Sequence, residues 1–340
     1  MTVPARPDLT CAVVLPAYNE QAHIGEVLAS LPAWVDAVFV VDDGSSDDTA
    51  RVAGSTGDRR VTVLRHDRNQ GVGAAMRTGY RAALEGGFDL VAKMDADGQM
   101  CPEELARLVE PFALDLADYT KGNRFYVRDA ARGMPAHRSF GNTGLSFMTK
   151  LASGYWHVYD SQCGYTVVRA GMLCLIDLDG LSEDYFFEND MLIRLNALNA
   201  RVVDVPTSTR YGAEVSHVRP HRVVLSFPPR LLLAGSRRFW RKHLVTDFSP
   251  IGLLTIAGMA LAAFGACFGA YHWYRSIVTD HVATTGTVMI AVLPLILGAQ
   301  LLVQAFSMSV AASPGAAESA AFARHLITDG RLNLESEQCR

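Results

Sequence analysis

The sequence predicts an α/β fold, a mostly parallel sheet with helices on both faces, followed by two C-terminal transmembrane helices. Two observations predict it. In the first part of the chain, short apolar β-rich runs alternate with helix-like segments, which is how a parallel sheet reads. Further on, the 70 residues from Phe248 to Ala317 carry only two formal charges, Arg275 and Asp280.

The strands are expected at Cys11–Leu15, Ala37–Val41, Val61–Arg65, Leu90–Met94, Tyr119–Lys121, Tyr165–Arg169 and Arg201–Val205. Helix-like runs lie between the first four, at Gln21–Leu31, Asp47–Gly54 and Gly71–Leu84. Another follows at Pro102–Phe112, with Pro102 suited to a first helical turn. Ligands of such sheets bind at the carboxyl ends of the strands, so chemistry is sought there.

Two uncharged stretches, about 250–274 and 282–310, are long enough to span a bilayer, which takes about 20 residues. Tyr271, Trp273 and Tyr274 suit an interfacial aromatic belt, and Pro294 is expected to kink the second span. Gly252, Gly258, Gly265 and Gly269 permit close helix approach, within the hairpin or in a homo-oligomer. Before the first span, Arg219 to Lys242 holds seven basic residues and no acidic one, interleaved with Leu231, Leu232, Leu233, Phe239 and Trp240. That pattern suits a segment lying against anionic lipid, and the positive-inside rule puts it in the cytoplasm. The expected organisation is therefore a catalytic domain at 1–218, a basic juxtamembrane segment at 219–248, a hairpin at 249–312 and a cytoplasmic tail at 313–340.

Composition excludes other classes. The chain has 340 residues, 49% of them hydrophobic, 19% charged, with net charge −4. Nothing in that balance argues for nucleic-acid binding. The six cysteines are scattered, without metal-ligand spacing, and read as reduced thiols. Met1 to Thr10 has no apolar core of a signal peptide.

The strand ends carry the motifs. The first ends in Pro16-Ala17-Tyr18-Asn19-Glu20, the second in Asp42-Asp43-Gly44-Ser45, the fourth in Asp95-Ala96-Asp97-Gly98-Gln99. Asp42 can accept hydrogen bonds from a ribose or base. Asp95, Asp97 and the Gln99 amide offer hard oxygen ligands to Mg²⁺ or Mn²⁺. Asn69-Gln70-Gly71-Val72-Gly73 only imitates a dinucleotide fingerprint, since Met76 stands where glycine is needed and the turn follows the third strand. It reads as a tight helix-packing turn.

Taken together, these three blocks resemble family 2 glycosyltransferases with the GT-A fold, over about residues 10–220. Further blocks resemble the branch of dolichol-phosphate mannose synthases and bacterial polyprenyl-phosphate glycosyltransferases. They are Gly122-Asn123-Arg124, Arg138 in Arg-Ser-Phe-Gly-Asn, Asp160-Ser161-Gln162-Cys163-Gly164-Tyr165, and Arg210-Tyr211-Gly212 through His217. The last departs from the branch pattern by one extra residue and by His217 in place of lysine.

The resemblance implies a nucleotide-sugar site at Pro16, Ala17, Tyr18, Glu20, Val40, Asp42, Asp95 and Ala96, and a metal held by Asp95, Asp97 and Gln99. It implies acceptor or diphosphate contacts from Arg124, Arg138, Arg210 and His217, since arginine grips phosphate bidentately. Asp160, Asp97 and Asp190 are the candidate catalytic carboxylates. The implied reaction is metal-dependent, inverting transfer of a sugar from a UDP- or GDP-sugar to an undecaprenyl or dolichyl phosphate. The protein would sit in a bacterial inner membrane, with catalytic domain and tail cytoplasmic and membrane lipids as neighbours. The alternatives are a processive polysaccharide synthase, disfavoured because Arg238-Phe239-Trp240 lacks the Gln-x-x-Arg-Trp arrangement, and an inactive membrane scaffold.

Overall fold

The computed structural model describes residues 9–126, 136–208 and 220–329, the side chains of 126, 136–143 and 220–225 excepted. The elements run β1 (Cys11–Ala17), α1 (Ile24–Ser30), β2 (Ala37–Asp42), α2 (Thr49–Gly54), β3 (Val61–Arg65), α3 (Val72–Glu85), β4 (Leu90–Lys93) and α4 (Leu105–Ala113). They continue with β5 (Tyr119–Asn123), α5 (Ala136–Ser153), β6 (Thr166–Arg169), α6 (Ala170–Leu175), α7 (Phe187–Ala197), β7 (Val202–Pro206) and α8 (Pro220–Trp240). Then follow α9 (Pro250–Thr279), α10 (Thr285–Ala311) and α11 (Ala316–Thr328).

The strands form one seven-stranded sheet in the order β3-β2-β1-β4-β6-β5-β7. All pairings are parallel except those of β6, which runs antiparallel to both β4 and β5. The order reverses at β1, because the chain steps outward through β2 and β3 and then returns to β4 on the other side. Such a switch point opens a crevice at the carboxyl edge. Register brings the motifs level there: Ala17 pairs with Asp42, and Asp42 with Arg65.

Successive strand residues point to opposite faces, and each face has its own core. Val13, Leu15, Val203 and Val205 pack with Ile24 and Leu28 of α1, Leu108 and Phe112 of α4, and Phe322 and Leu326 of α11. Ala12, Val14, Val168 and Val202 pack with Met76 and Tyr80 of α3 and Phe187, Met191 and Leu195 of α7. Gly79 of α3 lies so close to Val14 that a Cβ there would overlap its side chain, so helix and strand meet at van der Waals distance.

Two compact units emerge, Met1–Gly235 with Pro314–Arg340, and Ser236–Ser313. The described part of the stretch that the sequence sets apart as a tail belongs, from Pro314 to Asp329, to the first unit. Phe322 and Leu326 are fully buried there, and Ser319 Oγ accepts a 2.8 Å hydrogen bond from the Asp204 amide on β7. His325 Nε2 lies 3.3 Å from Glu110 Oε1 on α4.

The second unit holds two helices long and apolar enough to cross a membrane, Pro250–Thr279 and Thr285–Ala311. In α9 only Ile251, Gly252, Gly258 and Gly265 are buried, and in α10 only Gly298 and Ala305. The two helices meet through these small residues: a Cβ on Gly258 would stand 2.9 Å from Leu302 and 3.0 Å from the Gly298 carbonyl. α10 continues as helix through Pro294. Among the described cysteines Cys11, Cys163, Cys174 and Cys267 are free.

Candidate active site

The cleft at the carboxyl edge is lined by Asp95, Asp97 and Gln99 from the turn after β4, Arg124 after β5, and Gln162 to Tyr165 before β6. Asp97 Oδ1 accepts a 3.0 Å bond from the Gln99 amide, which closes the turn on itself. Gly98 supplies the positive φ of +74° that the turn requires.

Asp95 is held from beneath. Lys93, the last residue of β4, is 2% exposed, and its Nζ lies 2.8 Å from Asp95 Oδ1 and 2.8 Å from Glu188 Oε1. Burial opposes a charge on this lysine, but the two carboxylates outweigh it and raise its pKa, so Lys93 is an ammonium. A second buried lysine, Lys121, donates a 2.5 Å hydrogen bond to the Cys163 carbonyl. Burial pulls its pKa down. Burial pushes the Cys163 thiol up to about 11, which leaves it protonated and unsuited to nucleophilic work.

Arg124 and Asp160 form a bidentate pair, Nε to Oδ2 at 2.7 Å and Nη2 to Oδ1 at 3.0 Å. Asp160 is 3% exposed. Its carboxylate is turned to the Arg124 guanidinium, and Asp160 is not among the residues that line the cleft. Asp190 is committed elsewhere. Its oxygens accept from the Ser182 amide and hydroxyl at 2.9 and 3.2 Å and from Arg194 Nε at 3.2 Å, and it does not line the cleft. The loop that it fixes packs on Gly71 and Gly73, where a Cβ would collide with the Ser182 and Glu183 backbone. This is why that glycine turn exists.

The donor-side blocks come together at the strand ends. Tyr18 is 47% exposed, while Ala17 and Ala96 are buried and offer backbone only. Asn19 (φ 59°) accepts from the Ser46 amide, and the Glu20 amide donates to Thr49 Oγ1, so the blocks after β1 and β2 are tied to each other. Asp42 is fully buried: Oδ1 accepts from the Ser45 amide at 3.0 Å, and Oδ2 faces Arg65 Nε at 3.1 Å, paired by charge without hydrogen-bond alignment. Pro16 is half-buried at the end of β1. The Val40 side chain packs in the core. Asp43 anchors the third loop, accepting from the Gln70 and Gly71 amides and pairing with His66 Nδ1 at 2.7 Å.

Arg138 lies on α5 among the residues whose side chains are not described, and Arg210 and His217 lie outside the described residues. Sequence reasoning missed Lys93, Glu188 and Lys121. The signal was present: a lysine closing an otherwise apolar four-residue strand is costly to bury without a carboxylate partner. It also missed Asp204, buried on β7, which accepts from Asn123 Nδ2 at 2.5 Å.

No group of three or more His, Cys, Asp or Glu among the described residues could hold a metal alone. Two carboxylates and an amide lining one cleft suit instead a Mg²⁺ or Mn²⁺ that keeps waters and takes its remaining ligands from a diphosphate.

Comparison with known proteins defines the class. Residues 12–175 match the Glycosyl transferase family 2 domain. The chain is 31% identical over 230 residues to UDP-N-acetylglucosamine--dolichyl-phosphate N-acetylglucosaminyltransferase of Methanococcus voltae, covering 63% of this chain and 91% of the relative. It is 35% identical over 198 residues to the undecaprenyl-phosphate mannosyltransferase of Micrococcus luteus, covering 57% and 80%. Among solved structures, glucosyl-3-phosphoglycerate synthase of Mycobacterium tuberculosis with Mn²⁺ and UDP superposes with a TM-score of 0.52 at 21% identity, over 68% of this chain and 80% of the other. Mannosyl-3-phosphoglycerate synthase of Rubrobacter xylanophilus gives 0.52 at 22% identity, over 71% and 77%. The chain belongs to glycosyltransferase family 2, has the GT-A fold, and is a glycosyltransferase followed by two candidate membrane helices.

Proposed function

We propose that this enzyme transfers a sugar from a UDP- or GDP-linked donor to a polyprenyl phosphate at a membrane surface. The observation that carries the reading is that a guanidinium fixed by a buried carboxylate, Arg124 on Asp160, shares one cleft with Asp95 and Asp97. A phosphate acceptor needs a planar cation of fixed direction, and a diphosphate leaving group needs countercharge. The relatives named as dolichyl-phosphate and undecaprenyl-phosphate transferases support the acceptor class. Two apolar helices support a membrane setting, taken as a bacterial inner membrane, and the basic run from Arg219 to Lys242 before them supports the cytoplasmic side for the catalytic unit.

Tyr18, Glu20 and Asp42 hold the nucleoside, Asp42 once Arg65 swings away from it. Asp95, Asp97 and Gln99 hold Mg²⁺ or Mn²⁺, which when bound neutralises charge on the diphosphate. Arg124, with Arg138, Arg210 and His217, grips the acceptor phosphate. That phosphate is anionic at neutral pH and attacks the anomeric carbon directly. The carbon–oxygen bond to the nucleotide breaks as the new one forms, giving inversion, and no protein base is required. Asp160 thus serves by orientation.

Calorimetry of the full chain in detergent with UDP and GDP, each with and without Mn²⁺, tests the donor half. Metal-dependent binding of one nucleotide, lost in Asp97→Ala, is expected. Absence of binding by either would favour the inactive-scaffold reading.

A further inference from the structure

We propose that Lys93 is a positioning residue that sets Asp95 in place for the metal, with Glu188 as its counter-anchor; this rests on the metal-binding reading above. Lys93 Nζ stands between three elements. It lies 2.8 Å from Asp95 Oδ1 in the donor turn, 2.8 Å from Glu188 Oε1 on α7, and 3.4 Å from the Gly164 carbonyl before β6. Lys121 Nζ donates to the neighbouring Cys163 carbonyl. Two buried lysines therefore support adjacent carbonyls of the strip that runs from Asp160 to Tyr165.

A charge is costly to bury, so a lysine is retained at the end of an apolar strand only where its partners compensate. Glu188 alone would neutralise Lys93. A structural ion pair does not require the second carboxylate, Asp95, which is part of the cleft and 35% exposed at its side chain. With one proton-bearing nitrogen directed at Asp95 Oδ1, the other oxygen, Oδ2, is fixed in direction. Gly164 lets this occur, since a Cβ there would stand 2.6 Å from Asp95 Oδ2. Outer partners of metal-binding carboxylates fix ligand orientation in this way, and losing one typically costs ten- to hundredfold in metal affinity.

The test separates positioning from simple charge balance. Lys93→Met leaves Glu188 buried without a partner, so its loss of stability alone would be uninformative. Lys93→Met/Glu188→Gln removes both charges and restores balance. Mn²⁺ binding is measured on the purified full chain by electron paramagnetic resonance, in the presence of UDP and separately of GDP, alongside thermal unfolding. The inference expects the double variant to unfold cooperatively yet bind Mn²⁺ at least about tenfold more weakly than wild type. The Mn²⁺ concentration for half-maximal transfer should rise in parallel. A double variant that binds Mn²⁺ like wild type overturns the inference and leaves the metal reading intact. A wild-type chain that binds no Mn²⁺ with either nucleotide overturns both.

Discussion

Arg124 presents its guanidinium to the cleft because Asp160 holds it by two hydrogen bonds, at 2.7 and 3.0 Å, from a position only 3% exposed. The pair assigns different work to two residues that a motif alone treats alike. Asp160→Asn keeps the shape but loses the charge and one acceptor. A charge-assisted bond contributes roughly 1.5–3 kcal/mol, so kcat/KM for the lipid acceptor should fall about ten- to hundredfold. Donor-nucleotide affinity should change little. Initial rates over acceptor and donor concentrations check the split.

Gly164 sits against the charged floor of the cleft. A Cβ there would collide with Lys93 Nζ and stand 2.6 Å from Asp95 Oδ2. The atoms that must yield are ends of side chains, so Gly164→Ala should fold with a stability loss of about 1–3 kcal/mol. Displacing Asp95 by a fraction of an ångström should cost activity on the order of a hundredfold. Unfolding curves and transfer rates on the same preparation test this pairing of effects.

Asp204 gives a pH signature. Burial pushes its carboxyl up to about 7, only partly offset by the hydrogen bond from Asn123. An unfolded aspartate titrates near 3.9, at roughly pH 4. Between about pH 4 and 7 the native state therefore keeps a proton that the unfolded state has released, so this group's contribution to stability declines as pH rises through that window. Asp204→Asn removes the slope. Its Tm relative to wild type should increase from pH 5 to pH 8, and parallel curves would contradict the assignment.

The C-terminal helix belongs to the catalytic unit. Phe322 on α11 is fully buried in the same core as Val203 and Val205 of β7. Phe322→Ala should cost about 3–5 kcal/mol. Ser319→Ala, which removes the acceptor for the Asp204 amide, should cost about 1 kcal/mol. Chemical unfolding of the full chain in detergent measures both.

The strand ends were legible because β1 to β4 are apolar runs closed by short polar motifs, and those residues fall level in the register Ala17–Asp42–Arg65. The apolar hairpin was equally plain, from charge alone. α7 was not, because Phe187 to Asn196 is buried nearly all round and shows no single apolar stripe. α11 was missed because its docking is a tertiary event between residues more than a hundred positions apart, as Asp204 and Ser319 are. The partners of Asp160 and Asp190 were hidden for a related reason. A motif gives a carboxylate, but only the fold tells whether it faces the cleft or an arginine from another segment.

A lipid phosphate as acceptor is distinguished from a soluble one by a single transfer assay. Purified full chain in detergent with Mg²⁺ or Mn²⁺ is given radiolabelled UDP- and GDP-sugars, with undecaprenyl phosphate or with 3-phosphoglycerate, the acceptor type of its solved structural neighbours. Label is expected in an organic-extractable, mild-acid-labile product only with the polyprenyl phosphate. Label confined to a water-soluble product, or absent with every donor and either metal, would contradict a lipid-phosphate acceptor.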